Sequence, residues 1–422
     1  MARERILTIA SGHPDFNAGG SETAAYSLYR AYAEAETVEA STLLASHKST
    51  DGATGRLFPL RANEYLWEQS ISDWFNMRPA HQSSLLGQFS DFIRAVRPTV
   101  VHLHHFAHVG LDTIRLIRSV QPDARIILTL HEFLAQCFNQ GQMVTTSNEM
   151  CSREGLESCH RCFPERSRED FWLRKDWFLR HFALVDAFVA PSEFLRQRYI
   201  EWGIAPEKIT VIENAQDAGD RTPARSEPER PRNRFGYFGQ VTPFKGIDIL
   251  LMGLAGVPAE QRRQIRLTIN AANLEKQPDA FKRRLRQLSE PLEDEGVVYW
   301  AGPYSANMKA ARFQSVDWVV VPSIWWENSP YVIQEAFAFG RPVLCSDIGG
   351  MAEKVINGVN GRHVAVRSPS SWSDIFTELA GNNGVWNTLQ AGISPRPAAA
   401  ACAAEHLTLM AQIGTSVTDS VS

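Results

Sequence analysis

No apolar run in this chain approaches the roughly 18 residues that a membrane-spanning helix needs. Charge of neither sign dominates: 43 Lys and Arg stand against 47 Asp and Glu, a formal charge of −4, so no global field draws the protein to nucleic acid. Cysteine is sparse, six in 422 residues, which excludes a disulfide-built scaffold. No Asp-x-Asp pair and no solenoid-type repeat occur. The opening Met1 to Arg5 leads only into the short apolar stretch Ile6 to Ala10, which reads as a buried first strand rather than a secretory leader. The expected location is the cytoplasm, extending to the inner face of the membrane, with the thiols reduced.

What is present is a chain too long for one ordinary core, with 44% hydrophobic and 21% charged residues as in a soluble globular protein. Short β-rich apolar runs alternate with helical patterns. They fall at Ile6 to Ala10, Val100 to Leu103, Ile126 to Leu130, Ala187 to Ala190 and Ile209 to Ile212. They resume at Phe235 to Phe238, Ile265 to Ile269, Val297 to Ala301, Trp318 to Val321 and Pro342 to Cys345. Such βα alternation predicts parallel sheets covered by helices on both faces. Between the two series lies a polar stretch without periodicity and with three prolines, Asp217 to Asn233. The expected organisation is a lobe at 1–216, a linker at 217–232, a second lobe at 233–385 and a C-terminal helix and tail at 386–422. Two doubly wound lobes joined this way are expected to leave a cleft at the carboxyl ends of their strands.

The densest signal runs from Trp325 to Gly340, WWENSPYVIQEAFAFG. Ser329 before Pro330 predicts an N-cap followed by proline at the first helical position, and Gly340 a left-handed stop. Glu327 then lies in the loop after the strand ending near Pro322, and Glu335 on the helix. The helix N-terminus between them is suited to a phosphate. This E-x7-E pair, with the Arg341-Pro342-Val343 strand and the Asp347-Ile348-Gly349-Gly350 turn, resembles glycosyltransferase family 4, whose members have the two-lobed GT-B fold. The resemblance implies that Glu327 binds the transferred sugar's hydroxyls and favours positive charge at its anomeric carbon. It implies that Glu335 holds the ribose, and that the Tyr331 and Val332 amides meet the diphosphate. Upstream, Gly239-Gln240-Val241-Thr242-Pro243-Phe244-Lys245-Gly246 places a lysine just before a helix, as a cation for the departing diphosphate. Gln240 stands where the family usually has arginine.

In the first lobe, Gly19-Gly20-Ser21 follows the first strand and opens a helix that Ser21 is expected to cap. It is similar to the family's glycine-rich loop, which lies against the donor diphosphate. His131-Glu132 follows the strand ending at Leu130, and the resemblance puts the histidine near the transferred sugar. His102, His104, His105 and His108 crowd the end of the preceding strand, where acceptor contact, by His105 with Glu132, or packing is expected. Cys137, Cys151, Cys159 and Cys162 share one polar segment, with one C-x2-C pair. A structural zinc pinning that loop and free thiols are both open readings. Phe171 to Phe182 is aromatic and basic at helical spacing. A core helix with its basic residues exposed is the first reading, and a helix resting on an anionic membrane the second.

The resemblance therefore implies a retaining transferase that moves a sugar, of hexosyl type, from a UDP or GDP sugar to a hydroxyl of a glycan or lipid-linked saccharide. Bacterial polysaccharide biosynthesis is the expected setting, and no cofactor is required for the chemistry. Two other readings stay open: a sugar-nucleotide epimerase or phosphorylase on the same fold, and a non-catalytic nucleotide-sugar-binding subunit.

Overall fold

A computed structural model describes residues 3–17, 19–48, 54–214, 230–394 and 398–418, the last five by backbone alone. Nearly all of the expected linker lies outside the described residues. The chain forms two compact units, Met1–Asp217 with Pro397–Ser422, and Ala218–Arg396.

The first unit holds an eight-stranded sheet. Its strands run, in spatial order, Ile209–Val211, Ala187–Ala190, Arg125–Thr129, Val100–Leu103, Glu4–Ala10, Val38–Ser46, Glu64–Trp67 and Leu57–Arg61. Every neighbouring pair is parallel except the last. The second unit holds a six-stranded, wholly parallel sheet. Its order is Val298–Trp300, Arg266–Ala272, Arg234–Gln240, Trp318–Val321, Val343–Ser346 and Gly361–Val364. The central strands are buried on both faces and read as unbroken apolar runs, as the sequence predicts. The strands Val38–Ser46, Leu57–Arg61, Glu64–Trp67 and Gly361–Val364 were not expected. Val38–Ser46 has exposed positions near its start, Leu57–Arg61 has no buried position, and the other two are only four residues long, so none reads as a continuous apolar run.

Both sheets have a place where the chain order turns back. In the first unit it lies between Glu4–Ala10 and Val100–Leu103, and in the second between Arg234–Gln240 and Trp318–Val321. Loops leaving such adjacent parallel strands diverge to opposite sides and leave a crevice at the strands' carboxyl ends.

The segment expected as a separate C-terminal piece is divided between the units. The helix Asn383–Ala391 buries Trp386 and Leu389 in the second unit's core. There the Trp386 indole donates to the Asp317 carbonyl at 2.8 Å, and the Arg232 guanidinium lies 4.0 Å from its ring. The helix Ala399–Thr418 instead joins the first unit: Cys402, Ala403, Leu409 and Met410 pack with Leu28, Tyr32 and Ile127. Its small alanines allow close approach to the helix Gly20–Ala33. This helix runs on through Thr415 to Thr418, into the expected tail.

Asp317 organises the second unit's floor. Its fully buried carboxylate accepts from Arg230 at 2.7 Å, from Arg232 at 3.4 Å and from the Arg234 amide at 3.0 Å. Removing one partner of a buried ion pair costs about 3–5 kcal/mol because the other charge is stranded. Asp317→Ala is expected to lower the second unit's unfolding free energy by about that amount in urea titrations, and a change below about 1 kcal/mol would show the network to be dispensable.

Candidate active site

The second unit's crevice is built from two loops that touch through backbone. After the strand Arg234–Gln240 the chain makes the short turn Pro243–Lys245 and enters the helix Ile247–Gly256 through Gly246, at φ +67°. A side chain at Gly246 would lie 2.0 Å from the Pro322 carbonyl oxygen, so only glycine fits. Beside it the Ile324 amide donates to the Phe244 carbonyl at 2.9 Å. Phe244 and Trp325 stack at 5.8 Å. The loop carrying Lys245 is thereby clamped to the loop carrying Glu327.

Lys245 and Glu327, assigned separately from the sequence, form one ion pair with Nζ to Oε1 at 2.5 Å. The same oxygen accepts from Ser323 Oγ and from the Trp325 indole, each at 2.8 Å. Burial alone would raise the Glu327 carboxyl, but the Lys245 charge and these three hydrogen bonds outweigh it and hold it below its ordinary value. Glu327 is therefore a carboxylate at neutral pH, with one oxygen engaged by all three donors. Gly350 supports it from below. Its amide donates to the Glu327 carbonyl at 2.7 Å, and a side chain there would lie 1.5 Å from the Asn328 oxygen.

The helix that follows spans Tyr331–Ala338, which places the Tyr331 and Val332 amides in its first turn. Gly340, at φ +64°, makes the expected left-handed stop. The expected cap is corrected by one residue. Pro330 is the N-cap, extended at ψ 122°, and the Ser329 hydroxyl accepts from Gln334 Nε2 at 3.1 Å. Proline has no amide to lose there, and its fixed φ sets the entry to the helix. Glu335 pairs with Lys309, a partner that no sequence pattern pointed to. Gly239, at φ +140°, and Gln240 are exposed at the end of their strand, beside Ala271 and Ala272 of the next strand, and the Gln240 carbonyl accepts from the Tyr237 hydroxyl at 2.7 Å.

In the first unit, Gly19 is the N-cap of the helix Gly20–Ala33, with no side-chain cap. Ser21, expected to cap it, instead donates to Glu22 Oε2 at 2.9 Å. Glu22 is buried and also accepts from Ser11 at 2.7 Å, and a side chain at Gly19 would lie 2.1 Å from its carboxylate. Gly19 is thus required by Glu22, a residue the sequence reading passed over. At the next loops His105 and Glu132 are brought together, Nε2 to Oε1 at 3.3 Å. His105 Nδ1 accepts the Ala107 amide at 2.9 Å, so its neutral ring carries the proton on Nε2 and donates to Glu132. His131 Nε2 lies 3.2 Å from His104 Nδ1. Burial pushes His131 down to about 4 and His105 to about 3, the latter helped by neighbouring histidines. Burial pushes Glu132 up to about 8, against the Leu134 amide and Arg174. His102 and His104 are core residues. His102 bonds Tyr32 at 3.1 Å and Thr129 at 2.7 Å.

Comparison with known proteins bears on this geometry. The family model described as "Glycosyltransferase Family 4" matches residues 18–219, and "Glycosyl transferases group 1" matches 232–382. The chain belongs to glycosyltransferase family 4. Among its relatives, a D-inositol 3-phosphate glycosyltransferase of Corynebacterium aurimucosum is 29% identical over 188 residues, 42% of this chain and 44% of that protein. One of Mycobacterium leprae is 31% identical over 185 residues, 41% of each chain. The match thus spans less than half the length of these relatives. Among solved structures, Anabaena HepE in complex with UDP superposes with a TM-score of 0.61 at 18% identity, covering 100% of this chain and 99% of that one. A Rickettsia africae glycosyltransferase gives 0.68 at 15%, covering 98% and 99%. These likenesses show the fold, GT-B, with its two doubly wound α/β units.

Two further features of this family 4 chain are its cysteine-bearing segment and its aromatic helix. The four cysteines line one cavity of about 20 Å³ together with Glu154 and Phe163. Among the described residues, however, no three His, Cys, Asp or Glu side chains are arranged to hold a metal ion. The aromatic helix spans Arg168–Phe182 behind a Ser167–Asp170 capping box, and Phe171, Phe178 and Phe182 are core as expected. Arg174 is not on the exposed face. It is buried, donating to the carbonyls of Phe75 at 2.8 Å and Leu134 at 2.6 Å, where it holds the loop after His131.

Glu132 supplies a pH test. Its folded value, about 8, lies above the ordinary 4.5, so the folded state binds the proton more tightly and the associated stability is lost as pH rises toward 8. The buried histidines act in the opposite sense below their ordinary 6.5. Between 6.5 and 8 Glu132 is therefore expected to dominate this cluster. Thermal unfolding is expected to show the wild type losing stability across that window and Glu132→Gln holding level; parallel profiles would contradict the assignment.

Proposed function

We propose that this chain transfers a hexosyl residue from a nucleoside-diphosphate sugar, of UDP or GDP type, to a hydroxyl of a glycan or lipid-linked acceptor, with retention at the anomeric carbon. The observation that carries the proposal is the Lys245–Glu327 pair at the second unit's switch point, beside the first turn of the helix Tyr331–Ala338. Relatives named glycosyltransferase and solved neighbours holding UDP or UDP-glucose support it.

The diphosphate takes the Tyr331 and Val332 amides and the Lys245 ammonium, as anions do at a helix N-terminus. Glu335 receives the ribose hydroxyls, with Lys309 orienting that carboxylate. Glu327 faces the transferred sugar, where its charge steadies an oxocarbenium-like centre. The bond from the anomeric carbon to the phosphate oxygen breaks. The acceptor oxygen attacks the same face, and its proton passes to the leaving phosphate. Gln240, where the family usually has arginine, donates hydrogen bonds without a permanent charge, so Lys245 carries the cationic share of leaving-group stabilisation. The proposal keeps the assignments of Gly19, Gly20, Gly239 and His131 to the donor and of His105 and Glu132 to the acceptor. It also keeps polysaccharide assembly on the cytoplasmic side of a membrane as the setting.

Losing one preorganised group aimed at developing charge costs about 10²–10³ in kcat. Lys245→Ala and Glu327→Gln are each expected to lower transfer of labelled sugar by at least about that factor, while Glu327→Gln still shows a thermal shift with UDP or GDP. Full transfer by Glu327→Gln would overturn its role. A labelled free sugar or 2-epimer formed without acceptor would replace the transferase reading.

A further inference from the structure

Outside this site the first unit carries a second cavity, of about 610 Å³, whose lining includes Arg78, Arg115, Arg180 and His181. It lies against one face of the helix Arg168–Phe182, since Leu173, Asp176, Trp177 and Arg180 recur at three- and four-residue spacing. Three guanidinium groups meet a single carboxylate there, and Asp176 is already paired with Arg180 at 2.7 Å. Among the described residues Arg115 has no hydrogen bond or ion pair. Arg78 has no acid either, and its guanidinium rests 4.3 Å from the Trp177 ring centre. The groove thus has two cations without acidic partners, one of them on an aromatic face that fixes its position.

The groove also holds a buried polar atom. His181 is 4% exposed, and its Nδ1 donates to the Trp177 carbonyl at 2.8 Å. In that tautomer Nε2 is an acceptor, and it has no hydrogen-bond partner; the nearest acid, Asp112, stands 3.7 Å away and cannot donate when ionised. A ligand that satisfies this groove brings negative charge for Arg78 and Arg115 and a hydroxyl for Nε2. Leu173, which lines the groove, is 54% exposed, and Trp172, one residue before it on the same helix, is 57% exposed.

We propose that this groove binds the headgroup of an anionic, hydroxyl-bearing phospholipid of the phosphatidylglycerol class. The phosphodiester is held by Arg78 and Arg115, the glycerol hydroxyl by His181, and Trp172 and Leu173 enter the interfacial layer. Cations beside an exposed aromatic residue are the combination that holds a protein on an anionic bilayer surface. The proposal is independent of the sugar-transfer reading, since it uses none of the residues placed there.

The test is co-sedimentation of the full chain with phosphatidylcholine vesicles and with vesicles containing phosphatidylglycerol, beside calorimetric titration with soluble glycerol phosphate. Binding is expected only with phosphatidylglycerol. It is expected to fall about tenfold or more in R78S/R115S, and to fall also in W172S/L173S; all four side chains are exposed or at the groove rim, so the fold is kept. A His181→Gln variant moves the acceptor off the Nε2 position and is expected to weaken binding to phosphatidylglycerol vesicles. Equal binding to both vesicle types, or wild-type binding by R78S/R115S, would overturn the proposal. Tight binding of glycerol phosphate with no effect of W172S/L173S would also overturn it, in favour of a soluble-anion site.

Discussion

Burial pushes the Glu327 carboxyl up, and three side-chain donors hold it down: Lys245, the cation among them, with Trp325 and Ser323. The rest of the crevice serves this contact. Gly246 and Gly350 are glycines because neighbouring backbone occupies the space of a side chain, and those close approaches set the two loops at the distance the pair needs. The Ile324–Phe244 hydrogen bond and the Phe244–Trp325 stack fix the loops further. Below them, the loops leaving two adjacent parallel strands diverge and open a crevice at the strands' carboxyl ends.

The pairing also makes the proposed site responsive. An arriving diphosphate offers Lys245 a stronger anion than a single carboxylate oxygen, while the helix amides share the load. In the proposed reaction the ammonium moves to the phosphate, leaving Glu327 with Ser323 and Trp325 as donors. The first unit contrasts with this. Its histidines and Glu132 are held neutral by burial, so its strand ends present donors and acceptors without net charge. A neutral surface of that kind suits hydroxyl-rich groups, whereas the charged pair in the second unit suits a phosphate.

Much of this was legible in the sequence because it depended on short-range pattern. Apolar runs marked the central strands, and Pro330 with Gly340 bounded the helix carrying Glu335. The family resemblance put Glu327 and Lys245 in one site. What was not legible depended on distant contact. Lys309 reaches Glu335 from a short helix whose sequence has no distinctive spacing. Ser323 gains its role only because a loop folds back on itself, and Arg174 looked like one more surface cation until its guanidinium was seen to cap carbonyls from two other segments. Ser329 and Ser21 were assigned as caps from their position, but side-chain acceptors within reach competed for their hydroxyls or extended backbone shifted the cap by a residue. The C-terminal helix was the largest miss. Its alanines fit a helix of the first unit, and nothing local to 399–418 indicates which core it joins.

The most direct test of the central claim is a crystal structure of the chain soaked with UDP. The account predicts that Lys245 Nζ leaves Glu327 for a phosphate oxygen at about 2.8 Å, with the diphosphate over the Tyr331 and Val332 amides. A nucleotide bound elsewhere while Lys245 and Glu327 stay paired would contradict it.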